Sequence, residues 1–237
     1  MQVGLHNAQN RADWLQKTLQ KIPAGSRILD AGAGERKYEK FCSHLRYVAQ
    51  DFGRYDGLGN GSGLQTGKWD QSRLDIISDI TAIPEPEAAF DAVMCIEVLE
   101  HLPRPIDAIR EFSRLLKPQG YLIVTAPFCS LTHFAPYHFC TGFNQPFYET
   151  HLASNGFEIV EINKNGNFFE FLGQEVRRIS TVQSRYTPLK KGLLDRFAVH
   201  LILRFLERCS LSDAGSAELL CFGLHVLAQK KDGVYHS

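Results

Sequence analysis

The sequence has no excess of charge of either sign, no closely spaced cysteine pair and no long apolar run, and each absence excludes a class of function. Lys and Arg together number 26 and Asp and Glu together number 26, and nothing resembles a basic stripe. A surface for duplex nucleic acid is therefore not expected. The six cysteines (Cys42, Cys95, Cys129, Cys140, Cys209, Cys221) are scattered, without the spacing of a zinc knuckle or a redox pair, and read as reduced thiols. The opening stretch MQVGLHNAQNRADWL has neither a basic start nor an apolar run. No signal peptide or anchor is expected from it, and a cytoplasmic location follows. There is no internal repeat and no separate linker. What remains is an ordinary globular composition, 44% hydrophobic and 22% charged over 237 residues, enough for one large α/β domain with its own core.

Hydrophobic periodicity supplies the element order. Trp14, Leu15, Thr18, Leu19 and Ile22 follow helical spacing and end at Pro23 and Gly25, which predicts a leading amphipathic helix. RILDA (27–31), RYVAQD (46–51), LDIISDI (74–80), FDAVMCIE (90–97) and YLIVTAP (121–127) are short, nearly continuous apolar runs, the pattern of a parallel sheet covered on both faces. A helix is expected over 38–45, another over PIDAIREFSRLLKP, and a third over 146–154. FEIVEI (157–162) and LLCFGLHVLAQK (219–230) complete seven strands. The fold class is thus α/β, doubly wound, with helices on both faces. Two segments interrupt the alternation: 52–73 is rich in glycine and reads as a mobile lid, while 163–217 reads as a helical insertion.

LDAGAG (29–34) turns directly off the first strand, and its glycines let a ligand lie on the backbone. A dinucleotide site would favour a third glycine near position 37 and a helix start free of negative charge. Lys37 and Glu35 stand there instead. Asp30 suits a ligand bearing an ammonium group and a sulfonium, so the pattern favours S-adenosylmethionine over NAD. Asp51 ends the second strand where a carboxylate can accept from ribose hydroxyls. Asp79, in SDIT, lies beyond the third strand where it can accept from an adenine amino group, with Ile80 packing on the ring. Each acid alone could equally be a cap or a solvated loop residue. Three at successive strand ends point to the ligand edge of such a sheet.

LDAGAG, the acid ending the second strand, SDIT, FDAVMCIEVLEHLPRP and RLLKPQGYLIVTAP occur in the order and approximate spacing of the class I S-adenosylmethionine-dependent methyltransferases. Residues 25–162 resemble the small-molecule branch, similar to ubiquinone- and menaquinone-biosynthesis enzymes. The later PFCSLTHFAPYHFCTGF is similar to a bacterial subgroup linked to surface-glycan or secondary-metabolite pathways. The resemblance implies a Rossmann-like seven-stranded sheet, mostly parallel with an antiparallel last strand, and S-adenosylmethionine as cofactor. It places Asp30, Ala31, Gly32 and Gly34 at the methionine end, Asp51 and Phe52 at the ribose, Asp79 and Ile80 at the adenine, and Glu97 near the amino acid moiety. The sequence departs from the pattern in its glycine-rich loop and at Gln119, where the common LKPGG turn has a second glycine.

A sulfonium is already an activated donor, so the acceptor chiefly needs orientation and a base. His101, His133 and His138 are the candidate catalytic residues, following the fourth and fifth strands. EVLEH (97–101) is similar to patterns that hold a divalent ion in some quinone-pathway and RNA 2′-O-methyltransferases together with a histidine after the fifth strand, so Glu97, Glu100 and His101 with His133 or His138 are the set the resemblance implies, but no metal is assigned. The segment after the fourth strand lacks an Asn-Pro-Pro-Tyr type of motif, which favours oxygen over an exocyclic amine as acceptor. The expected function is O-methylation of a small-molecule or glycan-type substrate. An NAD-linked oxidoreductase and a non-catalytic S-adenosylmethionine-binding protein are the alternatives. The expected organisation is a single domain over 1–237: an N-terminal helix (1–24), the cofactor-binding core (25–162), a helical cap (163–217) and a last strand (218–230). The cap carries a broad apolar stripe through Leu193, Leu194, Phe197, Leu201, Phe205 and Leu206, interrupted by charges that exclude a spanning segment, so the domain itself, a second copy of the chain, or an apolar or lipid-linked acceptor is expected to cover it.

Overall fold

The computed structural model describes residues 1–232. Seven strands, β1 (Arg27–Ala31), β2 (Arg46–Asp51), β3 (Ile76–Ile77), β4 (Phe90–Ile96), β5 (Leu116–Pro127), β6 (Phe157–Asn165) and β7 (Gly223–Lys230), form one sheet in the order β3-β2-β1-β4-β5-β7-β6. The β1/β2, β1/β4, β2/β3 and β4/β5 pairs are parallel, and the sheet ends in antiparallel strands. The register pairs Asp30 with both Ala49 and Met94, which brings the carboxyl ends of β1, β2 and β4 to one edge, where ligands of such sheets bind. Five helices accompany the strands: α1 (Asn7–Leu19), α2 (Pro105–Leu115), α3 (Gln145–Ser154), α4 (Phe168–Tyr186) and α5 (Leu193–Leu211).

The chain divides into two compact units. The larger, Trp14–Asn163 with the chain from Leu224 onward, contains most of the sheet. One of its cores joins Trp14, Leu15 and Leu19 of α1 to Ile28, Met94, Ile123 and Leu227. The smaller unit, Met1–Asp13 with Lys164–Gly223, has its own small core of Val3, Leu203 and Leu206, flanked by Phe169, Leu172, Val176 and Val199. The expected insertion thus becomes the helix pair α4–α5. Asn167 caps α4 by accepting from the Glu170 N–H at 3.0 Å.

Three local expectations change. The helix expected over 38–45 is a single 3₁₀ turn, Glu39–Phe41. Arg36 sits at a φ of 59°, outside helical space, and too few residues remain before β2 to nucleate a longer helix. The third strand shrinks to Ile76–Ile77 at the sheet edge, and the bonds flanking it are part backbone, Asp75 N–H to the Ala49 carbonyl at 3.0 Å and Ser78 N–H to that of Asp51 at 3.1 Å, and part side chain. Asp75 Oδ2 accepts from the Ala49 N–H at 2.8 Å and the Gln50 amide donates to the Ser78 carbonyl at 2.7 Å. The fifth strand starts early, at Leu116, and carries a bulge, since Phe90 pairs with Leu116 but Ala92 with Tyr121.

Candidate active site

At the carboxyl edge of β1, β2 and β4 a cleft of about 510 Å³ opens in the larger unit, lined on one side by Gly32, Asp51, Phe52, Asp79, Ile80 and Glu97. All six are residues expected to hold the cofactor. Gly32 lies at a φ of 82°, and a Cβ there would come within 2.5 Å of the Val98 side chain, so glycine is required by conformation and by space. Its N–H and that of Ala33 donate to the Gln50 carbonyl at 2.8 and 2.9 Å, which fixes the turn to the end of β2.

Asp51 is buried, and its carboxylate accepts from the Gly34 N–H at 3.0 Å and the Gly53 N–H at 2.9 Å. Burial pushes its pKa up, while those N–H groups oppose the shift. Asp79 accepts from the Thr81 N–H and hydroxyl, both at 2.8 Å and through one oxygen; the Thr81 N–H chiefly lowers its pKa. Glu97 holds a φ of 57°, uncommon for a residue with a side chain, and accepts from the Thr125 hydroxyl at 2.8 Å.

Asp30, Ala31 and Gly34 are not among the residues that line the cleft. Asp30 lies buried on β1, accepting from the Tyr47 hydroxyl at 2.5 Å. Burial raises its pKa to about 7, with a further push from Asp51 and opposition from Tyr47. The alternation of β1 explains the placement, since only every second side chain can share a face with the ligand edge.

The three candidate histidines come together around His101, the one of them that lines the cleft. Ring centroids lie 4.7 Å apart for His101 and His133, 4.7 Å for His133 and His138, and 6.0 Å for His101 and His138. Two of them are aimed by backbone carbonyls: His101 Nδ1–H donates to Tyr137 at 2.6 Å and His133 Nδ1–H to Leu131 at 2.8 Å. Their Nε2 atoms thereby become lone-pair donors, at 3.7 and 3.9 Å from Glu100 Oε1. Glu100 is buried. The ligand atoms of Glu100, His101 and His133 all lie within 4.8 Å of one another. Burial pushes His101 down to about 3, and His133 and His138 push it the same way; burial also lowers His138.

The resemblance of EVLEH sets Glu100 and His101 beside a histidine that follows the fifth strand, and Glu100, His101 and His133 do lie together; what the sequence reading missed is the aromatic lining around them. Phe134 stacks on His101 at 5.0 Å and on Tyr55 at 4.8 Å, and Tyr55 meets Trp69 edge-on at 4.9 Å. Arg54, Tyr137 and Phe139 also line the cleft. A signal existed in the density of aromatics at 52–55 and 134–139. The glycine-rich segment, expected as a mobile lid, docks on the loop that carries His133. Phe134 N–H donates to the Leu64 carbonyl at 2.9 Å and Asn60 N–H to that of Ala135 at 3.0 Å. A Cβ on Gly59 would stand 2.1 Å from the Ala135 oxygen, so glycine here serves a close approach of two backbones.

The family model described as "Methyltransferase domain" matches residues 5–162. The chain belongs to this methyltransferase-domain family. Two curated relatives bear the name ubiquinone biosynthesis O-methyltransferase. That of Xanthomonas axonopodis pv. citri is 34% identical over 106 residues, 44% of each chain. That of Xylella fastidiosa is 32% identical over 122 residues, 48% of this chain and 46% of its own. The chain thus matches less than half the length of these relatives. Among solved structures, an S-adenosylmethionine-dependent methyltransferase from Archaeoglobus fulgidus superposes with a TM-score of 0.58 at 15% identity, covering 94% of both chains. The cyclase SpnF superposes with a TM-score of 0.57 at 21% identity, over 97% of this chain and 84% of its own. These likenesses show the shared Rossmann-like fold. Among the described residues, no helix is long and apolar enough to cross a membrane.

Proposed function

We propose that the protein transfers the methyl group of S-adenosylmethionine to an oxygen of a small, ring-bearing acceptor. The observation that carries this reading is that the cleft lined by the strand-end carboxylates is also lined by His101, which belongs to a cluster with Glu100 and His133. Asp51 is assigned to the ribose hydroxyls, Asp79 with Ile80 to the adenine, and Gly32 with Glu97 to the methionine end. Asp30, Ala31 and Gly34 act from beneath by shaping the turn. The relatives named as O-methyltransferases support oxygen as acceptor. The aromatic lining suits the flat faces of a phenol or a sugar ring. The free cysteines fit a reducing, cytoplasmic compartment.

Transfer forms a C–O bond as the sulfonium C–S bond breaks, and holding the oxygen in line accounts for roughly 7 to 11 kcal/mol of the barrier. The acceptor hydroxyl must also lose its proton. His101, with so low a pKa, is a weak base, so we assign that task to His133 and His138. The cluster favours a second reading as well. A buried carboxylate and two imidazoles whose Nδ1–H groups are fixed by carbonyls match the donor set and outer-shell support of a divalent-cation site. Glu100, His101 and His133 would hold such an ion, which when bound lowers the pKa of an acceptor hydroxyl.

The test is S-adenosylhomocysteine release with a panel of phenolic and sugar acceptors. Asp51→Ala is expected to weaken donor binding by calorimetry by roughly 10- to 100-fold, from the loss of about 1.5–3 kcal/mol. Unchanged affinity would remove Asp51 from the donor site. Loss of activity on chelation, restored by a divalent metal, selects the cation reading; activity indifferent to chelator but lost in the His133→Ala and His138→Ala variants selects the histidine base. No turnover with any acceptor, despite donor binding, would leave a binding protein.

A further inference from the structure

The balanced total charge conceals a strong local imbalance. Between Arg177 and Arg208 stand eight Lys or Arg residues and only two acids, Asp195 and Glu207. This segment carries +6 and the remainder of the chain carries −6. Arg185, Lys190, Arg196, Arg204 and Arg208 are exposed.

The same segment holds most of the large apolar side chains that face solvent. In α5, Val199, Leu203 and Leu206 turn toward Val3 and the inner face of α4. Phe197, Leu201 and Phe205, four residues apart and so on one helix face, lie on another side. Phe197 and Phe205 are each 61% exposed, and Leu193 and Leu194 at the helix start are each 83% exposed. Ile179, Tyr186 and Leu189 of α4 and the following turn are exposed as well. An amphipathic helix has one apolar face to bury; α5 has two, and its own unit covers one.

We propose that the α4–α5 pair docks flat on an anionic lipid bilayer, its apolar residues entering the headgroup boundary and its Lys and Arg meeting lipid phosphates. Charge decides between occupants. A two-fold contact of this face with a second copy would set +6 against +6, because an isologous interface repeats the same patch. A bilayer of net negative charge complements it. Long basic side chains reach headgroups while their stems cover apolar surface, and aromatic rings such as Tyr186, Phe197 and Phe205 suit the interface. The helices lie on the membrane and do not cross it, since neither is long and apolar enough to span. The proposal is independent of the reaction assigned above.

Co-sedimentation of the full chain with vesicles tests it, using phosphatidylcholine alone against phosphatidylcholine containing about one third phosphatidylglycerol. The expected result is partition at least about tenfold stronger onto the anionic vesicles, falling steeply in high salt. Lys190→Glu combined with Arg196→Glu should lower it by about 25-fold or more, at about fivefold per basic residue lost. Phe197→Ser combined with Phe205→Ser should abolish binding while donor binding by calorimetry persists. If that variant fails to fold, the charge variant, altered only at exposed positions, decides alone. Equal sedimentation with both vesicle types would overturn the proposal. So would a concentration-dependent dimer that the Phe197→Ser and Phe205→Ser changes convert to monomer without affecting vesicle binding.

Discussion

His101 is held neutral by its surroundings. Its ring is largely buried, stacked on Phe134 and beside two further imidazoles, and its Nδ1–H is tied to the Tyr137 carbonyl. With the folded pKa near 3 against an ordinary 6.5, the unfolded chain binds one more proton than the folded chain between those values. Stability is therefore fully present above about pH 6.5 and falls as pH drops through the window, by about 1.4 kcal/mol per pH unit. In chelator-treated protein, urea unfolding from pH 6.5 to 5.5 should show wild type losing about 1 kcal/mol relative to His101→Gln, the full slope being reached only below the unfolded pKa. Equal pH dependence in the two proteins would mean that the ring is more hydrated than its packing indicates. The three histidines were legible as residues near the active edge. Their convergence on Glu100 was legible only through the resemblance of EVLEH to ion-holding patterns, because they reach it from loops after two different strands and no spacing rule links 100–101 to 133–138.

At the scale of elements, the bulge at the start of β5 shows where the sequence departs from its family and what that costs. Gln119 occupies a turn position where the common LKPGG pattern has a glycine, just before Gly120, and it holds a φ of 63°. A side chain in the left-handed region costs about 1 kcal/mol or more. Gln119 contributes its carbonyl, which accepts from the Gln229 amide at 3.0 Å, and that contact survives replacement. Gln119→Gly should therefore raise stability by about 1 kcal/mol, read as an upward shift of roughly 2–4 °C in Tm. An unchanged or lowered Tm would show that glycine's larger unfolded-state entropy cancels the relief. Strand periodicity exposed β1, β2, β4 and β5 in the sequence because their residues are apolar on both faces. It overstated β3, whose polar Asp75 and Ser78 bond through side chains or caps at a sheet edge, and it overstated the helix after LDAGAG, where Arg36 leaves helical space.

At the scale of the whole molecule, the two units have unequal means of holding themselves together. The larger one packs β4 and β5 with fully buried Val93, Met94, Leu122 and Ile123, whereas the smaller buries few apolar side chains, Val3, Leu203 and Leu206 in one small core and Cys221 and Phe222 near its end. Local opening follows buried apolar contact. Amide hydrogen exchange should thus be slowest in β4 and β5 and faster, by at least about tenfold, in α4 and α5. Uniform protection would indicate one cooperative unit. Adding anionic vesicles should slow exchange in α4 and α5 and leave β4 and β5 unchanged if that face docks as proposed.

The sequence by itself determined the sheet, the glycine turn and the acids at its strand ends, because apolar periodicity and backbone freedom are local properties and the topology of such sheets carries their consequences to one edge. Tertiary structure decided the rest. It set Asp30 beneath the cleft, drew Glu100 and the histidines into one cluster, seated the glycine-rich loop against the loop of His133, and left the second apolar face of α5 in solvent. Each of these depends on which surfaces meet across long stretches of chain, and a one-dimensional pattern does not record that.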